Sequence, residues 1–180
     1  SINNIESNFK NVYAETGQGG ALYLGQRVAT NVTGDFENVH AYQSGGAIYT
    51  IYELGEINGN FTDVYSETGA GGAIFTGSAG DITGNFTNVH AKSNGGGAIY
   101  NNSTQSGSGF VILGDFNDIH AATGGGALYV SFINNVTGNF TDVYTESGDG
   151  GAIRTGDVYG TIKGDFTNTH TDNGSGGAIW

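Results

Sequence analysis

The run Ile82-Thr83-Gly84-Asn85-Phe86-Thr87-Asn88-Val89-His90, followed after a short polar stretch by Gly96-Gly97-Ala98-Ile99-Tyr100, decides the fold, because the chain repeats it throughout. The block [IV]-x-G-[ND]-F-x-[ND]-[VI]-[YH], then G-G-A-[IL]-aromatic, recurs with its phenylalanine at Phe9, Phe36, Phe61, Phe86, Phe116, Phe140 and Phe166, 24 to 30 residues apart. The alanine of the Gly-Gly-Ala follows each phenylalanine by 11 or 12 residues, at Ala21, Ala47, Ala73, Ala98, Ala127, Ala152 and Ala178. Within Ile82–Thr87 the apolar and small residues alternate with Thr83, Asn85 and Thr87, which is the period of a strand and not of a helix. Each block holds about three such short strands separated by Gly or Asn/Asp bends, and none has enough apolar residues to close a core alone. Blocks stacked in register, roughly 4.8 Å apart, bury one another's Phe, Ile and Val. The expectation is an all-β, single-stranded parallel β-helix of about seven coils of ~26 residues, forming one domain over residues 1–180. The seven phenylalanines are its expected internal spine.

Composition agrees. The 180 residues include 34 Gly and no Pro, Cys or Met. Pro would delete an inter-coil hydrogen bond wherever it stood in a strand. Gly allows bends and close backbone approach. The Asn or Asp two after each phenylalanine (Asn11, Asn38, Asp63, Asn88, Asp118, Asp142, Asn168) suits a corner, where a short polar side chain bonds local backbone. Such corners, stacked, form amide ladders. Without cysteine there is no disulfide scaffold, zinc knuckle or cysteine nucleophile. Five Lys and Arg against 17 Asp and Glu give a net charge of −12, so nucleic-acid and membrane-surface binding are not expected. No apolar run is long enough to span a bilayer. Ser1 opens the chain without a basic-then-apolar stretch, so any export signal is expected to have been removed or to lie outside it.

The repeats resemble those of the polymorphic outer membrane proteins of chlamydiae and related bacterial autotransporters, which are marked by many copies of G-G-A-[ILV] and F-x-x-N. Gly19-Gly20-Ala21-Leu22, Gly45-Gly46-Ala47-Ile48 and their five counterparts match the first motif in full. The second is shifted, with Asn or Asp two residues after Phe. The resemblance implies a β-helical passenger, extracellular or on the bacterial cell surface, with adhesion to a host surface protein or glycan as its usual role. No membrane barrel is present, so the chain would be a stretch of passenger.

Both ends are in phase with the repeat, and neither has an evident cap. Ile2-Asn3-Asn4-Ile5-Glu6-Ser7-Asn8-Phe9 aligns without a gap to Ile133–Phe140, and Trp180 stands in the aromatic position of the block. A bare terminal coil offers unpaired backbone groups and an open core. The alternative reading is therefore a subunit of a self-assembling filament, stacking end to end through Ile2, Ile5, Ile179 and Trp180, with other copies of itself as partners.

In a β-helix each outward position recurs as a column. The column Tyr23, Tyr49, Phe75, Tyr100, Tyr129, Arg154, Trp180 is a candidate binding ladder, for sugar rings or a partner protein, or a ladder whose rings stabilise one another. A second column reads Tyr13, His40, Tyr65, His90, His120, Tyr144, His170. Only His90 and His120 occupy consecutive coils, and a flat ladder spreads ligands, so no metal or other cofactor is expected. A surface gaining positive charge below about pH 6.5 is expected instead. The column before Phe (Asn8, Asp35, Asn60, Asn85, Asp115, Asn139, Asp165) never has Asp on consecutive coils, which avoids like-charge repulsion. Nearly every polar residue is one copy of a repeated column and the five basic residues are scattered, so no catalytic constellation, and no enzyme, is expected. Rows such as Thr83-Asn85-Thr87 resemble ice-binding faces, but Asp35 and Glu37, Leu113 and Asp115, and Lys163 and Asp165 interrupt them. The one irregular element, Asn101–Gly109, reads as a loop leaving the stack and a place for a local recognition site.

Overall fold

The computed structural model describes residues 2–25, 30–101, 103 and 109–180. Among them there is no helix, and every strand pairing is parallel and joins one coil to the next. Seven rungs stack into a β-solenoid of about six turns. One face is formed by the phenylalanine strands Phe9–Ala14, Phe36–Ala41, Phe61–Ser66, Phe86–Ala91, Phe116–Thr123, Phe140–Ser147 and Phe166–Thr167, the last rung resuming at His170–Asn173. Like residues pair with like: Phe36 with Phe61, Val39 with Val64, His40 with Tyr65. A second face carries the strands after Gly-Gly-Ala and a third those before the phenylalanine.

The phenylalanines do form the spine. Consecutive rings lie 4.7 to 5.0 Å apart, and from Phe36 to Phe166 their planes are within 4° of parallel. Phe36, Phe61, Phe86, Phe116 and Phe140 are fully buried, with Ile48, Ile74, Ile99, Val64 and Val89 around them. Phe9 and Phe166, on the end rungs, are only half-buried. The hydrophobic driving force is thus shared between neighbouring coils and is weakest where a coil has one neighbour.

Corners follow from residue type. All seven Asn or Asp residues two after Phe adopt a left-handed backbone, with φ between 52° and 55°, a conformation that short polar side chains tolerate better than most. Six of their side chains pair between coils and not with the local backbone: Asn38 Nδ2 donates to Asn11 Oδ1 (2.7 Å), Asn88 to Asp63 (2.6 Å) and Asn168 to Asp142 (2.8 Å). The column immediately before Phe makes the more regular ladder. Each side-chain oxygen accepts the backbone N–H of its equivalent one coil on, from Asn8 to Asp35 through Asn139 to Asp165, at 2.8 to 3.1 Å.

The Gly-Gly-Ala motif has two separate causes. The first glycine turns the chain with positive φ, +65° at Gly45. The second, Gly46, would set a Cβ 1.9 Å from the Gly72 carbonyl oxygen of the next coil. Any side chain there would push two coils apart.

The three-strand pattern of the coils is not uniform: Glu53–Leu54 and Ser78–Ala79 pair as an additional two-stranded sheet, and one coil departs further. Leu128–Thr137 is a single strand of ten residues that crosses from the second face to the third and joins them in one sheet. The equivalent stretches of other coils contain glycine (Gly55, Gly77, Gly80, Gly156, Gly160), whereas Val130–Thr137 has none to break the strand. Of the irregular element, Asn102 and residues 104–108 lie outside the described residues. Its flanks stay in the stack: Asn101 is buried and in register with Thr76 and Val130, and Phe110 pairs with Ile133 before a one-residue register shift.

Candidate interaction surface

Two outward columns carry the chemistry. The first is the ladder after Gly-Gly-Ala. Its side chains point away from the core because Ile48, Ile74, Ile99, Leu128 and Ile153, one residue earlier, point into it. Ring centroids are 5.4 Å apart for Tyr23–Tyr49, 5.0 Å for Tyr49–Phe75, 5.2 Å for Phe75–Tyr100 and 4.6 Å for Tyr100–Tyr129. All four pairs are stacked within 20° of parallel. Arg154 continues the column as a planar cation, 4.3 Å from the Tyr129 ring and 5.0 Å from that of Trp180. Burial raises the phenol pKa of Tyr49, with a further push from Tyr23, and burial with Tyr129 does the same for Tyr100.

This geometry determines what the ladder can bind. A sugar stacks on the face of an aromatic ring, but here the internal rings spend both faces on each other. The column presents ring edges, with an open face only at its ends, where Tyr23 is 63 % exposed and Trp180 50 %. The edge surface suits contact with another protein better than stacking of successive sugar units.

The second column starts four residues after each phenylalanine. His40 and Tyr65 stack at 4.5 Å with Tyr13 tilted against His40 at 4.2 Å, and His120, Tyr144 and His170 stack at 4.5 and 5.2 Å. Between these runs His90 and His120 are tilted, 6.1 Å apart. The Lys92 ammonium sits 3.8 Å over Tyr65. His90 Nε2 donates to Asn88 Oδ1 at 2.5 Å, an acceptor oriented by the Asn88 amide bond to Asp63.

Desolvation lowers the pKa of His40 and His90 below the ordinary 6.5, outweighing Glu67 and Glu15 around His40 and Asp118 and Asp63 around His90. In both, Nδ1 is buried without a hydrogen-bond partner, so a second ring proton would be left unsatisfied. The expected gain of positive charge below about pH 6.5 is therefore corrected for these two, which hold their neutral form to lower pH. Glu15, His40, Tyr42 and Glu67 line one shallow groove beside this column. Among the described residues no three His, Asp or Glu converge to hold a metal.

Charge pairing between coils escaped the reading by residue type. The basic residues Lys10, Lys92 and Arg154 are not scattered. Lys10 Nζ meets Glu37 at 2.7 Å and Lys92 Nζ meets Glu67 at 2.9 Å, each pair occupying one column on consecutive coils. His120 Nε2 lies 3.2 Å from Glu146. Aligning the blocks vertically by distance from the phenylalanine would have found the first two. Of the residues expected at the ends, Ile2 is 60 % exposed, Ile5 is half-buried, and Ile179 and Trp180 are exposed. Compared with known proteins, the chain matches no family model, no curated protein and no solved structure.

Proposed function

We infer that this chain is a non-enzymatic structural and adhesive module, a stiff β-helical rod displayed extracellularly on a bacterial surface. The observation that carries this reading is that the molecule's organised interactions run between coils. The spine, the ladder of side-chain oxygens before Phe, the ring columns and the Lys–Glu pairs all join one rung to the next, and all serve to hold a long regular surface in place. The polar outer residues are copies within columns, so no single cluster stands apart as a reaction centre. Further support comes from the Gly-Gly-Ala motif shared with autotransporter passengers and from the absence of cysteine, which fits an exported protein.

The adhesive part is tested by binding to host-cell surface proteins and to a glycan array, with wild type beside the double variant Tyr49→Ala, Tyr129→Ala. Binding lost in the variant, with its circular dichroism unchanged, supports contact through the ladder. Wild type that binds neither class of target overturns the adhesive role. The second reading, a filament subunit, draws on the exposed Ile2, Ile179 and Trp180. Electron microscopy separates them: monodisperse short rods sink the filament, long fibres sink the solitary rod. Ice binding has less support, because the Asn and Asp oxygens beside the Thr rows accept backbone N–H groups of the next coil. Ice recrystallisation unaffected by the protein disposes of it.

A further inference from the structure

Two glycine columns line the coil interfaces, and they face opposite ways. The glycines two residues before Phe (Gly34, Gly59, Gly84, Gly114, Gly138, Gly164) face the preceding coil. A Cβ on any of them would lie 1.8 to 1.9 Å from the carbonyl oxygen of the same column one coil back. The second glycines of Gly-Gly-Ala face the following coil: a Cβ on Gly20, Gly46, Gly72, Gly97, Gly126 or Gly151 would lie 1.9 to 2.2 Å from the next coil's carbonyl.

The first column has one exception, Ser7, on the first rung, with a Cβ aimed where no described coil lies. At the other end, Gly177 of the last rung remains glycine although nothing described requires it. Its φ is not positive, and the nearest atom a Cβ would meet is Thr169 O at 4.0 Å. The side chain excluded by a neighbouring coil is thus present at one end and still missing at the other.

We propose that the solenoid is directional. The end face bearing Gly177 is a docking surface for one further coil of Gly-Gly-Ala type, and the end face bearing Ser7 is closed to such a coil. The partner that fits has a backbone carbonyl over Gly177 and glycine two before its phenylalanine, so that the Gly164 carbonyl is met without a side chain. The first rung of a second copy fails that requirement, since its Ser7 Cβ would fall on the Gly164 carbonyl oxygen. In-register head-to-tail stacking of copies is therefore blocked. This inference is independent of the adhesive role and opposes the filament reading.

The test lengthens the full chain by one coil at either end and reads thermal unfolding by circular dichroism and protection of the added coil from protease. One protein carries a copy of residues 76–100 after Trp180, and another a copy of residues 54–78 between Ser1 and Ile2. The added coil at the Trp180 end is expected to raise Tm by several degrees and to resist cleavage. Gly177→Ala should abolish that gain while leaving Tm of the parent chain unchanged. The coil at the Ser1 end is expected to be cleaved and to leave Tm where it was, unless Ser7→Gly accompanies it, when it should stabilise. Equal stabilisation at both ends with Ser7 in place overturns the proposal, as does stabilisation at neither end or no response to Ser7→Gly.

Discussion

The spine and the outer ladder are both vertical stacks of aromatic rings at about 5 Å, yet they tolerate different residues. The spine is phenylalanine at all seven rungs, and in its interior the planes are parallel to within a few degrees. The ladder accepts Tyr, Phe, Arg and Trp, its planes tilt by up to 20°, and its residues remain partly exposed. The difference teaches what drives each. Rings in the spine fill a closed volume, so size and shape are dictated by neighbours on all sides. Outer rings gain from face-to-face contact but keep an edge in water, so a planar guanidinium serves as well as a phenol.

Cutting into the two stacks should separate these causes. Phe86→Ala, which empties the middle of the spine, is expected to cost about 3–5 kcal/mol in unfolding free energy, measured by denaturant titration. Phe166→Ala, at the half-buried end, should cost clearly less, and equal losses would contradict the stacking account. In the ladder, Tyr100→Ala leaves two ring contacts unmade and should cost roughly 0.5–1.5 kcal/mol per stacked pair, or at most about 3 in all. A loss as large as that of Phe86→Ala would mean that the ladder belongs to the core.

The mixed His/Tyr column lies between these extremes, and pH probes it. His40 and His90 have folded pKa values below their unfolded 6.5, so the unfolded chain binds more protons between those values. The stability they contribute is complete above about pH 6.5 and is lost as pH falls through their folded pKa values. Tyr occupies the same column elsewhere, so His40→Tyr with His90→Tyr should flatten the fall of Tm between pH 7 and pH 5.5. An unchanged slope would place the pH response elsewhere. The smallest effect is expected on the outside: the exposed Lys10–Glu37 pair should show a coupling of about 0.2–1 kcal/mol in a double-mutant cycle, shrinking with added salt.

Much of the fold was legible because stacking turns one-dimensional spacing into three-dimensional columns. Phe86 and Phe116 could be placed over each other without knowing the path of the chain between them. The corners were legible from Asn and Asp at a fixed offset, but their left-handed backbone was not. What else escaped depends on pairs of columns or on the absence of a signal. The long strand Leu128–Thr137 arises from missing glycines, which a motif search for recurring residues passes over. The corner column places Asp118 and Asp142 on consecutive rungs, where neither can donate a side-chain N–H, so the avoidance of adjacent carboxylates before Phe does not extend to it. The surface was less legible than the core. Ring identity pointed to a ladder, but whether faces or edges meet a partner depends on χ angles that spacing does not encode.

The in-register pairing of neighbouring rungs has a kinetic consequence. Like residues in neighbouring phenylalanine strands are separated by one coil, 24 to 30 residues, so closing any rung demands only a loop of that length. Once two rungs have formed, each further one can add to the growing template without waiting for the rest of the polypeptide. A chain delivered gradually, from either end, can thus become ordered progressively behind the point at which it emerges.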